Sequence, residues 1–467
     1  MSVDSFASSE TIAAKLATFA ADLRLAAVSE AVRVKAKLSL LDMIGAAFAS
    51  ATFDFGVRAM SGLSRLDRGD SVVVGFHERL ALRDAVLMNG ILVHGLDYDD
   101  TSIYGRVHPS SSCGTTALGV ASHHGSNGTD LLTAYIAALE CTIRLGAVVK
   151  GAFQQRGFHP TGVVGTFGAS IAAGLLFRLS PKQLAMAQGI ALSMAAGSQE
   201  FAIEGAWTKR MHPGWAGAAG ITAAALAHGG FVGPSLAYEG NRGLYKLYLG
   251  DLFERCDLSL ATAGLGSDWQ IETLAHKPMP ACYFNVPTID AAIRLASEHD
   301  LRPADIACVR ALLPQSAVGL VCEPVDRKRR PVDSYAAQFS VQFTTAAALV
   351  RRRFSLDDLD DATLKDPDIL TLADRVEYAV DEKTTFPRFY SGAVEVTLHD
   401  GRVLEAREDV NRGAPERPLS SADIERKFSD SAGRLLPKAQ VARIIETVLA
   451  IERLDDVAAF AQLLARP

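Results

Sequence analysis

The sequence predicts a mainly α protein: a large all-helical domain made from both chain ends, with a smaller α+β domain inserted between them. Three observations predict it. Apolar residues recur at three- and four-residue steps from the start to about residue 265. Short runs of alternating β-branched residues then appear, and helical spacing resumes near Ser420. The expected boundaries are 1–265 together with 415–467 for the helical domain and 266–414 for the insertion.

The helical pattern is clearest over Ile12–Leu23, Val32–Ala49, Leu131–Val149 and Leu184–Ala196. Alanine and glycine dominate the inner segments, such as "GWAGAAGITAAALAHGG", and small side chains let helix backbones approach closely. The longest uncharged stretch, Thr161–Phe177, holds four glycines and is marginal in length for a bilayer, so a buried helix is expected. No fixed-period repeat argues for a solenoid. Phe55–Val74 carries only a weak strand, "SVVVGF". In the insertion, "CVRALLP", "RVEYAV" and "GAVEVTLHDGRVLEARE" read as strands, the last folded into a hairpin at Asp400-Gly401. Helices are expected over Pro287–Glu298 and Ala336–Arg352. "SSADIERKF" places serine caps before the first C-terminal helix.

At 467 residues the chain exceeds one ordinary core. A net charge of −6 gives no reason to expect a nucleic-acid or anionic-membrane partner. The basic runs "RKRR" and "RRR" sit beside acids and read as solvated surface. Six scattered cysteines without a CxxC pair fit a reducing compartment, and the N-terminal 24 residues carry acids where a leader needs a basic, then apolar, segment. A cytoplasmic protein is expected.

Chemistry concentrates in four stretches. "HGLDYDDTSIYGRVHPSS" gathers histidines, acids and a threonine; a helix running through His94 would put Asp97 and Thr101 on one face, with Asp99 pointing elsewhere. His108 follows in a loop fixed by Pro109. "RGFHPTGVVGTFGA" places His159 before a proline and a glycine-rich helix. "EGAWTKRMHPGWAG" supplies Lys209, Arg210, His212 and a third His-Pro ahead of another small-residue helix. "LAHKPMPACYFNVPTIDAA" sets His276 and Lys277 in a proline-bracketed loop at the expected domain junction. Histidines and cations on helix-entry loops suit removal of a proton from carbon beside a carboxylate. No GxSxG elbow, phosphate loop or dinucleotide fingerprint accompanies them. A metal-dependent hydrolase on the acids of the first stretch, or a non-catalytic binding protein, are the rival classes.

These stretches, "HGLDYDDT", "HPSS", "GFHPTGVVGTFGAS", "TKRMHPGWAG" and "HKPMPAC", resemble the MmgE/PrpD family, in its order and spacing and over essentially the whole chain. The family includes 2-methylcitrate dehydratase, cis-aconitate decarboxylase and iminodisuccinate epimerase. The resemblance implies a homodimer with a site that needs no metal or other cofactor and takes a small di- or tricarboxylate. It implies catalytic roles for His108, His159, Lys209 and Asp97, and substrate binding by Thr101 and Lys277, with Arg210, His212 and Cys282 beside them. The implied activity is a lyase acting by proton abstraction alpha to a carboxylate, with an epimerase of an iminodisuccinate-like amino-dicarboxylate as the alternative. Two departures bear on the substrate. Phe343 stands where decarboxylase-like members carry tyrosine, and Cys282 and Val286 stand where some relatives carry histidine. Each removes a polar group.

Overall fold

Small side chains decide how the helices of this protein meet. The structure, a computed structural model, describes residues 10–466; residues 1–9, which open the stretch read above for a leader, lie outside it. The chain divides into two units: 10–95, 99–274 and 420–466 form the first, and 96–98 with 275–419 form the second.

The first unit is helical. Its N-terminal part includes α1 (Ile12–Asp22), α2 (Glu30–Ala51), α3 (Leu82–His94), α4 (Ser110–His124), α5 (Gly128–Ala147), α6 (Pro160–Leu176), α7 (Pro181–Ala191) and α8 (Thr208–His228), with shorter helices between them. Hydroxyl and amide caps start several of them: Thr11, Ser29, Asn127 and Ser180 each accept from a first-turn N–H. Helix α8 lies against α3 and α6. A Cβ on Gly214 would sit 2.1 Å from the Leu87 carbonyl oxygen, and one on Gly220 2.5 Å from the Ala169 methyl, so these crossings require glycine. Helix α6 is buried along almost its whole length, as its lack of charge predicts. Helix α7 ends at Ala191, five residues short of the expected limit, where the chain turns toward residues 192–194.

The second unit carries α9 (Val286–Glu298) and α10 (Val341–Arg351) beside a four-stranded sheet. Its strands are β1 (Ile306–Leu313), β2 (Val376–Val380), β3 (Gly392–Leu398) and β4 (Val403–Glu408), in the order β2-β1-β3-β4. β1 pairs with β2 in parallel, Val309 opposite Val376, and with β3 antiparallel, Val309 opposite Val396. The β3–β4 hairpin turns at Asp400-Gly401 with Gly401 at φ +87°. The helix expected over Ala336–Arg352 is two helices, because the Ser340 hydroxyl accepts the Phe343 N–H at 2.9 Å and caps a fresh start.

The C-terminal helices α11 (Ser421–Ala432) and α12 (Lys438–Leu449) return to the first unit. Phe428 meets the Phe48 ring edge-on, and Lys427 pairs with buried Asp42 at 2.6 Å. Mainly α with a small inserted α+β region is the architecture observed. Among the described residues no single helix is long and apolar enough to cross a membrane; α2 passes only jointly with Asp54–Leu63, at an 89° bend.

Candidate active site

Helix α3 stops at His94. The expected continuation through Asp100 fails because Gly95 caps the helix and Asp97 takes the left-handed conformation at φ +49°. Thr101 then lies in a two-residue strand. Asp97 and Thr101 therefore share no helical face. Asp99, expected to point elsewhere, is instead turned back onto His94.

The consequence is a buried carboxylate between two imidazoles. Asp99 Oδ2 accepts from His94 Nδ1 at 2.8 Å, and Asp99 Oδ1 lies 3.6 Å from His108 Nδ1. The His108 Nδ1 is also 2.9 Å from the Asp100 carbonyl and 3.1 Å from the Thr101 hydroxyl. A carbonyl can only accept, so Nδ1 carries the proton and Nε2 carries the lone pair. The His108 N–H donates to Thr161 Oγ1 at 3.2 Å, tying this loop to the first turn of α6.

Behind His108, Asp100 is fully buried, and its Oδ2 shares a hydrogen bond with the Ser110 hydroxyl, which also bonds the Tyr135 phenol. Burial pushes the Asp100 carboxyl up to about 8, against the Ser110 hydrogen bond and with help from Asp99 and Asp42. Asp100 is thus a neutral acid at pH 7.

On the other side of His94, the His159 ring stacks at 5.4 Å, and His159 Nδ1 meets His212 Nδ1 at 3.0 Å. Burial, then the protonatable neighbours His94, Lys209, His212 and His108, hold His159 well below the ordinary histidine range. Burial and the same kinds of neighbour bring His212 down to about 4. Both imidazoles are neutral at pH 7. His159 stands immediately before α6, as the His-Pro spacing predicts, but Lys209, Arg210 and His212 do not precede their helix. They lie inside α8, with Pro213 in its interior. Arg210 donates to the Gly95 carbonyl at 2.8 Å and lies 3.9 Å over the Phe55 ring, so it holds the end of α3.

In the second unit, Lys277 is buried and pairs with Asp97 at 3.0 Å, donating also to the Asp97 carbonyl at 2.8 Å. Cys282 packs in an apolar cluster with Leu313, Val321, Cys322 and Tyr335. Phe343 and Val286 are fully buried and offer no polar atom.

The structure therefore joins His108, Thr101, His159 and His212, with Lys209 in electrostatic reach, and adds His94 and Asp99, which the sequence reading left out of the site. The signal was present in "HGLDYDD"; the assumed helix turned Asp99 the wrong way. Among the described residues, His94, Asp99 and His108 also bring three donor atoms within 4.8 Å, a set that could hold a metal ion. In this set His94 Nδ1 and Asp99 Oδ2 are hydrogen-bonded at 2.8 Å, while His108 Nδ1 stands 3.6 Å from Asp99 Oδ1.

Matches to known proteins cover the chain. A model described as the MmgE/PrpD N-terminal domain matches residues 14–255, and one described as the C-terminal domain matches 279–453. The cis-aconitate decarboxylase of Homo sapiens is 29% identical over 98% of this chain and 95% of its own length. That of Aspergillus terreus is 25% identical over 98% and 96%. The mitochondrial 2-methylcitrate dehydratase of Yarrowia lipolytica is 26% identical over 30% of this chain and 28% of its own length.

Proposed function

Since the chain belongs to the MmgE/PrpD family, we propose that it is a lyase of a short tricarboxylate, deprotonating or protonating the carbon beside a carboxylate with His108. One observation carries this reading: the His108 Nδ1–H is fixed on the Asp100 carbonyl at 2.9 Å, which leaves Nε2 as a basic nitrogen on an oriented ring. Buried Asp99, 3.6 Å from the protonated nitrogen, favours the imidazolium that forms when Nε2 accepts a proton. Lys209 supplies positive charge for substrate carboxylates and for the enediolate that develops. His159, held neutral, is the second group that can hydrogen-bond the reacting anion.

The names of the relatives support a carboxy-lyase or a hydro-lyase, and the residues favour neither. Loss of CO2 leaves a carbanion that must be protonated; dehydration begins by removing the proton. On this reading both steps fall to the histidines. Activity needs no bound metal on this reading.

The test is turnover with cis-aconitate and with 2-methylcitrate, following products by NMR in D2O. We expect itaconate-type or aconitate-type alkene with one substrate, and a loss of at least about 100-fold in His108→Ala, the scale of a removed general base. Recovered substrate carrying solvent deuterium and inverted at carbon, with no alkene, would replace the lyase with an epimerase. Wild-type turnover in His108→Ala would remove His108 from the chemistry.

A further inference from the structure

His159 and His212 face each other nitrogen to nitrogen. Their Nδ1 atoms are 3.0 Å apart, and both side chains are buried. Two N–H groups cannot point at each other at that distance, and two lone pairs gain nothing there. One proton lies between the rings, and its position decides what His159 offers at Nε2. With the proton on His159 Nδ1, Nε2 is a lone pair. With the proton on His212 Nδ1, Nε2 is an N–H donor.

The pair is built to be close. A Cβ on Gly162 would lie 2.4 Å from the Ala196 carbonyl oxygen and 3.0 Å from His212 Cβ, so glycine lets α8 approach the start of α6. A Cβ on Gly197, at φ +147°, would lie 3.5 Å from both His159 Cβ and His212 Nδ1, and the Gly197 carbonyl accepts the His159 N–H at 2.8 Å. His212 follows Lys209 by three positions in α8, so one helical turn carries both groups.

We propose that His212 is a positioning residue: its Nδ1–H donates to His159 Nδ1 and so presents His159 to the substrate as a neutral Nε2–H donor. This inference rests on the lyase reading for one point, the negative charge that His159 meets. A lone pair aimed at a carboxylate or enediolate would repel it, whereas an N–H stabilises it. A neutral imidazole acting as hydrogen-bond donor needs no net charge and gives up no proton. The proton that His108 takes or gives thus stays with His108, and His159 stabilises charge. The binding role that the sequence resemblance implied for His212 becomes one of fixing a tautomer.

The test reads the tautomer itself. Protein labelled with 15N-histidine, without substrate, gives long-range 1H–15N correlations for its eleven histidines, assigned with His159→Gln and His212→Asn. We expect His159 protonated at Nε2 and His212 at Nδ1. His212→Asn, whose amide keeps a donor near the Nδ1 position, should retain turnover within about tenfold and keep the His159 tautomer. His212→Leu should lower kcat about 10²–10³-fold, the scale of one lost oxyanion donor, with KM little changed. A His159 protonated at Nδ1 in the wild type overturns the proposal, as does equal turnover in the Asn and Leu variants. The NMR experiment needs no substrate. Failure to turn over any tricarboxylate would therefore sink the lyase reading while leaving the tautomer decided separately.

Discussion

Asp100→Asn isolates one buried proton. Burial raises the Asp100 carboxyl from its ordinary 3.8 to about 8, so the folded protein holds this proton where the unfolded chain has released it. Between those limits the native state binds one proton more, and stability falls by about 1.4 kcal/mol per pH unit. The sign follows from the raised value: the stability is complete below pH 4 and is lost as pH rises through 8. Over the full shift of about four units the linkage is on the order of 5 kcal/mol, and between pH 5 and pH 8 about 3–4 kcal/mol. Lys35, brought down to about 8 by burial and held up in part by Asp100, acts in the opposite sense as pH rises through 8, so the difference is cleanest from pH 5 to pH 7. Asparagine mimics the protonated acid in shape, can accept from the Ser110 N–H and donate to its hydroxyl, and leaves the carbonyl that orients His108 in place. Denaturant unfolding of wild type and variant at pH 5, 6, 7 and 8 gives the difference directly. The variant should gain on the wild type steadily as pH rises, by about 3–4 kcal/mol over the range. A difference that stays constant across the four values would refute a protonated Asp100.

Three further outcomes are expected. Lys277→Ala removes the partner of buried Asp97 and should destabilise the second unit by about 3–5 kcal/mol in denaturant unfolding, whereas an unchanged midpoint would show that the pair is not buried. Gly214→Ala forces a methyl onto the Leu87 carbonyl and should cost about 1–3 kcal/mol with a lower Tm; an unchanged Tm would mean that α3 and α8 can separate freely. Dialysis against EDTA should leave turnover intact, with the metal content of the active protein measured alongside. Loss on chelation and recovery with Zn2+ would instead assign His94, Asp99 and His108 to a metal.

Much of the helical architecture was legible in the sequence because burial of small residues leaves a periodic trace. The hairpin at Asp400-Gly401 was equally legible, since a two-residue turn between alternating runs has few other solutions. Helix ends were harder. Nothing in the apolar spacing of "VLMNGILVHGLDYDD" says that α3 stops at His94, because the residues that follow are buried too. That single boundary decides whether Asp99 faces solvent or the imidazoles. His212 was visible as a histidine beside a proline, but its partner was not: the contact with His159 spans 53 residues and depends on glycines whose absent side chains leave no pattern.

The return of α11 to α2 has a consequence for synthesis. Asp42, Gly45 and Phe48 emerge from the ribosome almost four hundred residues before Lys427 and Phe428, which cover them. Residues 275–419 can close on themselves while the helical core still lacks its last wall. A nascent chain halted near residue 420 would expose a charged aspartate and an apolar helix face together, the kind of surface that chaperones hold until translation ends.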